Sequence, residues 1–202
     1  MTPRLQAALD AVDHTFDGFT CAADNPCTHC YGDRDEGLPE LTIPGTLLAP
    51  DLLDSLAYRT PSLFTDHAAM VRRILPQMAR RLADGTLHTY WPEQHCLARS
   101  NWREWPTSQA DAIRELIEAW WEDLVTTREP HHDIALAFAT FAAVTGDLAA
   151  ALASWPDDDT ANRHLVTVSR GWIDDLINDE DPSTSCSSER SRRSRRSCRP
   201  GT

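Results

Sequence analysis

Thr107-Ser-Gln-Ala-Asp-Ala-Ile-Arg-Glu-Leu-Ile-Glu-Ala-Trp-Trp-Glu-Asp-Leu-Val125 decides the fold class of this 202-residue chain. Ile113, Leu116, Ile117, Trp120, Trp121 and Leu124 recur at steps of three and four, so they line one broad face of a helix. Thr107 or Ser108 stands where a cap belongs, with Asp111 three residues after Ser108 as the partner of a capping box. Two neighbouring indoles on one face bring roughly 150 to 250 Å² each to be covered. A face this wide requires other helices against it and predicts an all-α fold.

Downstream, His131 to Val144 reads as a nearly all-round apolar helix closed by Gly146, followed by a short helix from Asp147 to Trp155. A last helix runs from about Asp157 to Ile177, with Leu165, Val168, Trp172, Ile173 and Leu176 as its expected buried face. Short Gly and Pro connections between these elements predict an irregular helical bundle or a short antiparallel array.

Upstream, Trp102-Arg-Glu-Trp105-Pro106 places two indoles at a corner between helices. Thr65 is the expected cap of a helix carrying Met70, Val71, Ile74, Leu75, Met78 and Leu82, with Gly85 just beyond it. Pro76 in its middle predicts a kink or a break. Residues 86–99 show no clear period. Leu52, Leu53, Leu56 and Ala57 mark a helix opened by Pro50 and ended by Pro61. Leu5, Leu9, Val12 and Phe16, with Ala8 and Ala11, mark a first helix that stops near Gly18. Between Gly18 and Pro50, eight glycines or prolines and three cysteines read as a long irregular loop.

The chain is acidic, with net charge −12 and no lysine among its nineteen basic residues. From Ser183 onward six arginines face one glutamate, so this segment carries +5 and the rest −17. An acidic body argues against nucleic acid as a specific partner. The segment is Ser and Arg with almost nothing apolar, which predicts disorder over residues 183–202 beyond a single helical domain at 1–182. The N-terminal stretch lacks the apolar run of a signal peptide, and no segment has the length and hydropathy of a membrane span. The expectation is a cytoplasmic protein with reduced thiols and no membrane partner.

Cys21-Ala-Ala-Asp-Asn-Pro-Cys27-Thr-His-Cys30 is the strongest chemical motif. Cys27 and Cys30 are spaced to grip one tetrahedral zinc from a tight turn, Cys21 or His29 offers a third ligand, and Cys96 or His95 a distant fourth. A lone Cys-x-x-Cys pair arises by chance in about one chain in six at this cysteine content, so ordinary loop cysteines compete with zinc. A redox role for the pair needs a helix N-terminus after a strand, and no strand precedes it. His131-His132-Asp133, with His67 and Asp174 or Asp175, is a second set, of the kind used by helical metal-dependent phosphohydrolases. A first-turn aspartate, however, stabilises any helix. Asp157, Asp158 and Asp159 lack the alternating ligands and glycine turn of a calcium loop.

The order of landmarks resembles a family of helical proteins of high-GC bacteria with a Cys-x-x-Cys loop and a Trp-rich central helix. The likeness rests on Phe16 or Phe19 before Cys27-x-x-Cys30, Ile74-Leu75-Pro76, Trp102-Arg-Glu-Trp105-Pro106 and Glu118-Ala-Trp-Trp121. It covers roughly residues 12 to 125. The resemblance implies a helical fold and no particular chemistry. The sequence therefore favours a non-catalytic protein-interaction or scaffold module, with a zinc-binding protein as the alternative and a metal-dependent hydrolase as a further one.

Overall fold

The computed structural model describes residues 1–24, 38–87 and 91–177. Among them lie seven α-helices and no strand: α1 (Pro3–Phe16), α2 (Pro50–Ala57), α3 (His67–Ala83), α4 (Thr107–Thr126), α5 (Ile134–Thr145), α6 (Leu148–Ala153) and α7 (Asp159–Ile177). The expected all-α fold is the observed one. Single 3₁₀ turns at Pro39–Thr42, Pro61–Leu63, Pro92–Gln94, Cys96–Arg99 and Trp102–Glu104 turn the chain between helices. The tail from Ser183 lies outside the described residues.

α4 is the central element, packing against α1, α5 and α7, while α1 also packs against α3. Its apolar face is buried as the periodicity predicts, from Ile113 through Trp120 and Trp121 to Val125. Leu5, Ala8, Leu9, Val12 and Phe16 of α1 are buried too, whereas Ala11 faces solvent. No helix among the described residues is long and apolar enough to cross a membrane.

Helix starts differ from expectation because other side chains reach the free amides first. Asp66, one residue after Thr65, caps α3 by accepting from the Ala69 amide at 2.8 Å, and Thr65 instead bonds Asp24. Pro106 occupies the cap position of α4, so Thr107 is already helical, no side chain caps this end, and Asp111 engages Arg114. Asp133 accepts from the Leu136 amide at 3.0 Å and starts α5 three residues later than His131. Asp158 accepts from the Thr160 and Ala161 amides, and α7 begins at Asp159.

α3 continues through Pro76 without the expected break. Losing one backbone bond costs about 3 kcal/mol. Burying a single large apolar side chain returns about 1.5 to 3 kcal/mol, and Val71, Ile74, Leu75 and Met78 are all buried around the proline. Packing wins. α7 departs from expectation in the opposite sense: Ala161 and Val168 are buried and Leu165 and Trp172 half-buried, yet Ile173 and Leu176 are exposed.

α3 ends at Gly85, whose φ of +76° is left-handed, and a Cβ there would lie 2.7 Å from the Cβ of His131. Close approach and backbone conformation both demand glycine. Gly85→Ala is therefore expected to destabilise the fold by about 2 kcal/mol or more, as strain of a left-handed residue plus displacement of His131. Thermal melts should show a fall of roughly 4 to 8 °C, at about 2 to 4 °C per kcal/mol for a chain of this size; an unchanged melting temperature refutes the close contact.

Candidate functional site

Trp121 turns the end of the central helix into a docking point for everything that follows. Its ring stacks on Phe141 with centroids 5.3 Å apart and 14° between planes, and it meets Trp155 edge-on at 5.0 Å. Phe138 joins Trp155 at 5.6 Å and Trp172 at 5.4 Å. These contacts attach α5, α6 and α7 to α4 through aromatic surface, each pair adding about 0.5 to 1.5 kcal/mol beyond area burial. The Trp155 indole N–H donates to the Ala161 carbonyl at 2.9 Å and fixes the turn into α7.

Beside the cluster opens a cleft of about 410 Å³, lined by Trp102, Trp121 and Phe141, by Ala150 and Ala151 of α6, and by charged groups at its mouth. Arg4 bonds Glu115 at 2.7 Å and also engages Glu118 and Glu122. The Arg103 guanidinium lies over the Trp102 ring, 4.6 Å from its centre, and donates to the Val144 carbonyl at 2.6 Å. Trp102 donates to the same carbonyl at 3.3 Å. The cation thus sits at the C-terminal end of α5, where the helix dipole favours it. Gly146, with φ of +66°, leaves room for it, since a Cβ there would stand 3.2 Å from Arg103 Nη2. Burial, and then the charge of Arg114, lower the Arg103 pKa.

A second cleft, of about 560 Å³, lies near the end of α1 and is lined by Asp10, Asp13, Phe16, Arg73 and Gln77. Arg73 is buried there and donates to the carbonyls of Glu40, Ile43 and Thr46 at 3.1, 3.1 and 2.6 Å. Gln77 both donates to and accepts from the Leu48 backbone. Their work is to hold residues 40–48 onto α3.

The cysteine motif is split by the structure. Cys21 is half-buried, its amide donates to the Leu41 carbonyl, and burial followed by Asp24 pushes its thiol up to about 11. Cys96 is fully buried with Sγ 3.5 Å from Met78 Sδ, and burial pushes its thiol up to about 12. Cys27, His29 and Cys30 lie outside the described residues. Among the described residues no three His, Cys, Asp or Glu side chains gather as a metal site.

His131, His132 and Asp133 come together on structural duties. Asp133 caps α5, His131 packs on Gly85, and His132 Nε2 bonds the Leu82 carbonyl at 2.7 Å while its ring meets Trp120 edge-on at 5.6 Å. His67 packs on Phe64 at 5.8 Å, and desolvation lowers its pKa. Asp174 is exposed, and the Asp175 side chain lies outside the described residues. The cleft residues Arg103 and Arg114 escape a motif search because Phe141 and α6 reach them only through the tertiary fold; the adjacency of Trp102 and Arg103 is their one local signal. No protein-family model, curated protein or solved structure matches the chain.

His95 is wholly buried, its Nδ1 accepts from the Leu97 amide at 3.3 Å, and its ring meets Tyr58 edge-on at 5.5 Å. Nε2 then carries the proton and has no acceptor among the described residues. Desolvation lowers its pKa from 6.5 to about 4. The unfolded chain takes up a proton that the folded chain refuses, so this contribution is whole above about pH 6.5 and is lost as pH falls toward 4. Denaturant titrations should show a loss on the order of 3 kcal/mol across that window, and His95→Phe should flatten it; the same slope in both proteins overturns the assignment.

Proposed function

We propose that the chain is a non-catalytic interaction module that receives a protein partner on the outer side of α7. The observation that carries this reading is the apolar end of that helix, where Ile173 is 54%, Leu176 70% and Ile177 75% exposed. Val166, Ile173 and Ile177 are spaced by seven and four residues, which places them along one side of the helix. Trp172 lies half-buried beside them and anchors that side to Phe138. Apolar helical faces with this spacing are the surfaces that partner grooves recognise. Burial of each such side chain by a partner gains about 1.5 to 3 kcal/mol. The reading is further supported by His131, His132 and Asp133, whose polar atoms and surfaces are engaged in helix capping and packing.

A photo-crosslinking residue introduced at Ile173 is expected to give a discrete protein adduct in extracts of the native host. The same residue at Glu118, exposed on α4, should give none. Ile173→Glu with Leu176→Glu should abolish partner retention while shifting the melting temperature by no more than about 2 °C, as surface substitutions do. A large thermal loss in that variant, or adducts equal at both positions, sinks the proposal.

A further inference from the structure

We propose that the cleft between α4, α5 and α6 binds a small apolar carboxylic acid, with its hydrocarbon part against Trp121, Phe141 and Ala151 and its carboxylate between Arg103 and Arg114. This is a ligand site separate from the α7 surface and does not rest on the interaction reading.

Three observations converge on it. First, about 410 Å³ lies within the roughly 300 to 1,000 Å³ of small-molecule sites, and the inner wall is aromatic and aliphatic. Second, the acids at the mouth are already engaged. Glu118 and Glu122 are held by Arg4, and Asp147 caps α6 by accepting from the Ala150 amide at 2.9 Å. Third, the basic side of the mouth is not balanced. Arg114 pairs only with Asp111, at the exposed surface of α4. Arg103 has no carboxylate within ion-pair distance among the described residues, and its one hydrogen bond goes to the Val144 carbonyl.

A guanidinium carries five donors, so Arg103 keeps most of its hydrogen-bonding capacity after that bond. Its charge also stands near that of Arg114, which lowers its proton affinity. An anion placed between two guanidinium groups relieves their repulsion and accepts charge-assisted bonds from both, with the two-oxygen geometry of a carboxylate matching the donor fork. An apolar group attached to that carboxylate reaches the aromatic wall. The combination selects against neutral hydrocarbons, which leave the cations unrelieved, and against small hydrophilic anions, which leave the wall wet.

The test uses the full chain and 4-phenylbutyrate as probe, followed by isothermal titration calorimetry. Saturable binding at one site is expected, with 4-phenylbutyramide weaker by tenfold or more, in line with the strength of charge-assisted bonds. Arg114→Gln should weaken the acid about fivefold to tenfold, leave the amide unchanged and leave the melting temperature unchanged, because its only carboxylate partner is exposed Asp111. Ala150→Trp, placed at the exposed edge of the cleft, should abolish binding of both probes. Arg103 is unsuited to the test because its loss also uncaps α5. No heat of binding at millimolar acid overturns the proposal, as does equal affinity for acid and amide or an Arg114→Gln protein that binds like the parent. A peptide ending in phenylalanine that binds tenfold tighter than the free acid overturns the small-molecule assignment in favour of peptide capture.

Discussion

Burial of the paired indoles at the end of α4 is the constraint on which the rest of the chain depends. Trp120 and Trp121 are both almost wholly buried, and neither indole N–H has an acceptor among the described residues. An unsatisfied buried donor costs about 1 to 3 kcal/mol. Covering 150 to 250 Å² of aromatic surface returns roughly 4 to 6 kcal/mol, so apolar burial outweighs the unmade hydrogen bond. Trp120 meets His132 and so ties the start of α5 to α4, while Trp121 holds Phe141 and Trp155. Helices α5 to α7 inherit their position from these two residues.

Where helices end, charged side chains grip backbone carbonyls. Arg73 collects three carbonyls from residues 40–46, Arg81 bonds the Pro50 carbonyl and pairs with buried Asp54, His132 bonds Leu82 and Arg103 bonds Val144. The physical need is the same each time: carbonyls at helix ends and in irregular segments lose water when the core closes, and each requires a donor. Arginine serves well because it stays ionised through partial burial. The same solution explains why the histidines and aspartates of a catalytic-looking motif do structural work. Asp133 and His132 sit at the start of a helix next to the end of another, where capping and carbonyl bonding use up their polar atoms.

The two surfaces with functional content arise at opposite sides of one aromatic cluster. Phe138 and Trp172 set the angle at which α7 leaves the body, and the turns after Trp172 keep their apolar side chains in solvent. Trp121 and Phe141 shape the cleft on the other flank, under arginines that come from an N-terminal helix, a 3₁₀ turn and α4. Changes to the cluster are therefore changes to both surfaces, which makes peripheral residues such as Arg114 and Ile173 the informative ones.

The sequence by itself determined the helices and most of their buried faces, because a period of 3.6 in Leu, Ile, Val and Trp is local information. It marked Leu5 to Phe16, Met70 to Leu82 and Ile113 to Leu124 correctly, and it placed Gly85 and Gly146 at helix ends. Competition between neighbouring caps was not legible: Asp66 displaces Thr65, and Pro106 leaves Thr107 inside the helix, through differences of about 1 kcal/mol. Nor was the fate of Pro76, since the packing that keeps α3 whole comes from elements far away in sequence. Only the tertiary structure decided that Ile173 and Leu176 stay exposed and that Arg103, Arg114 and Phe141 share a cleft. Periodicity states which face of a helix is apolar, and only the arrangement of the other helices states whether anything lies over it.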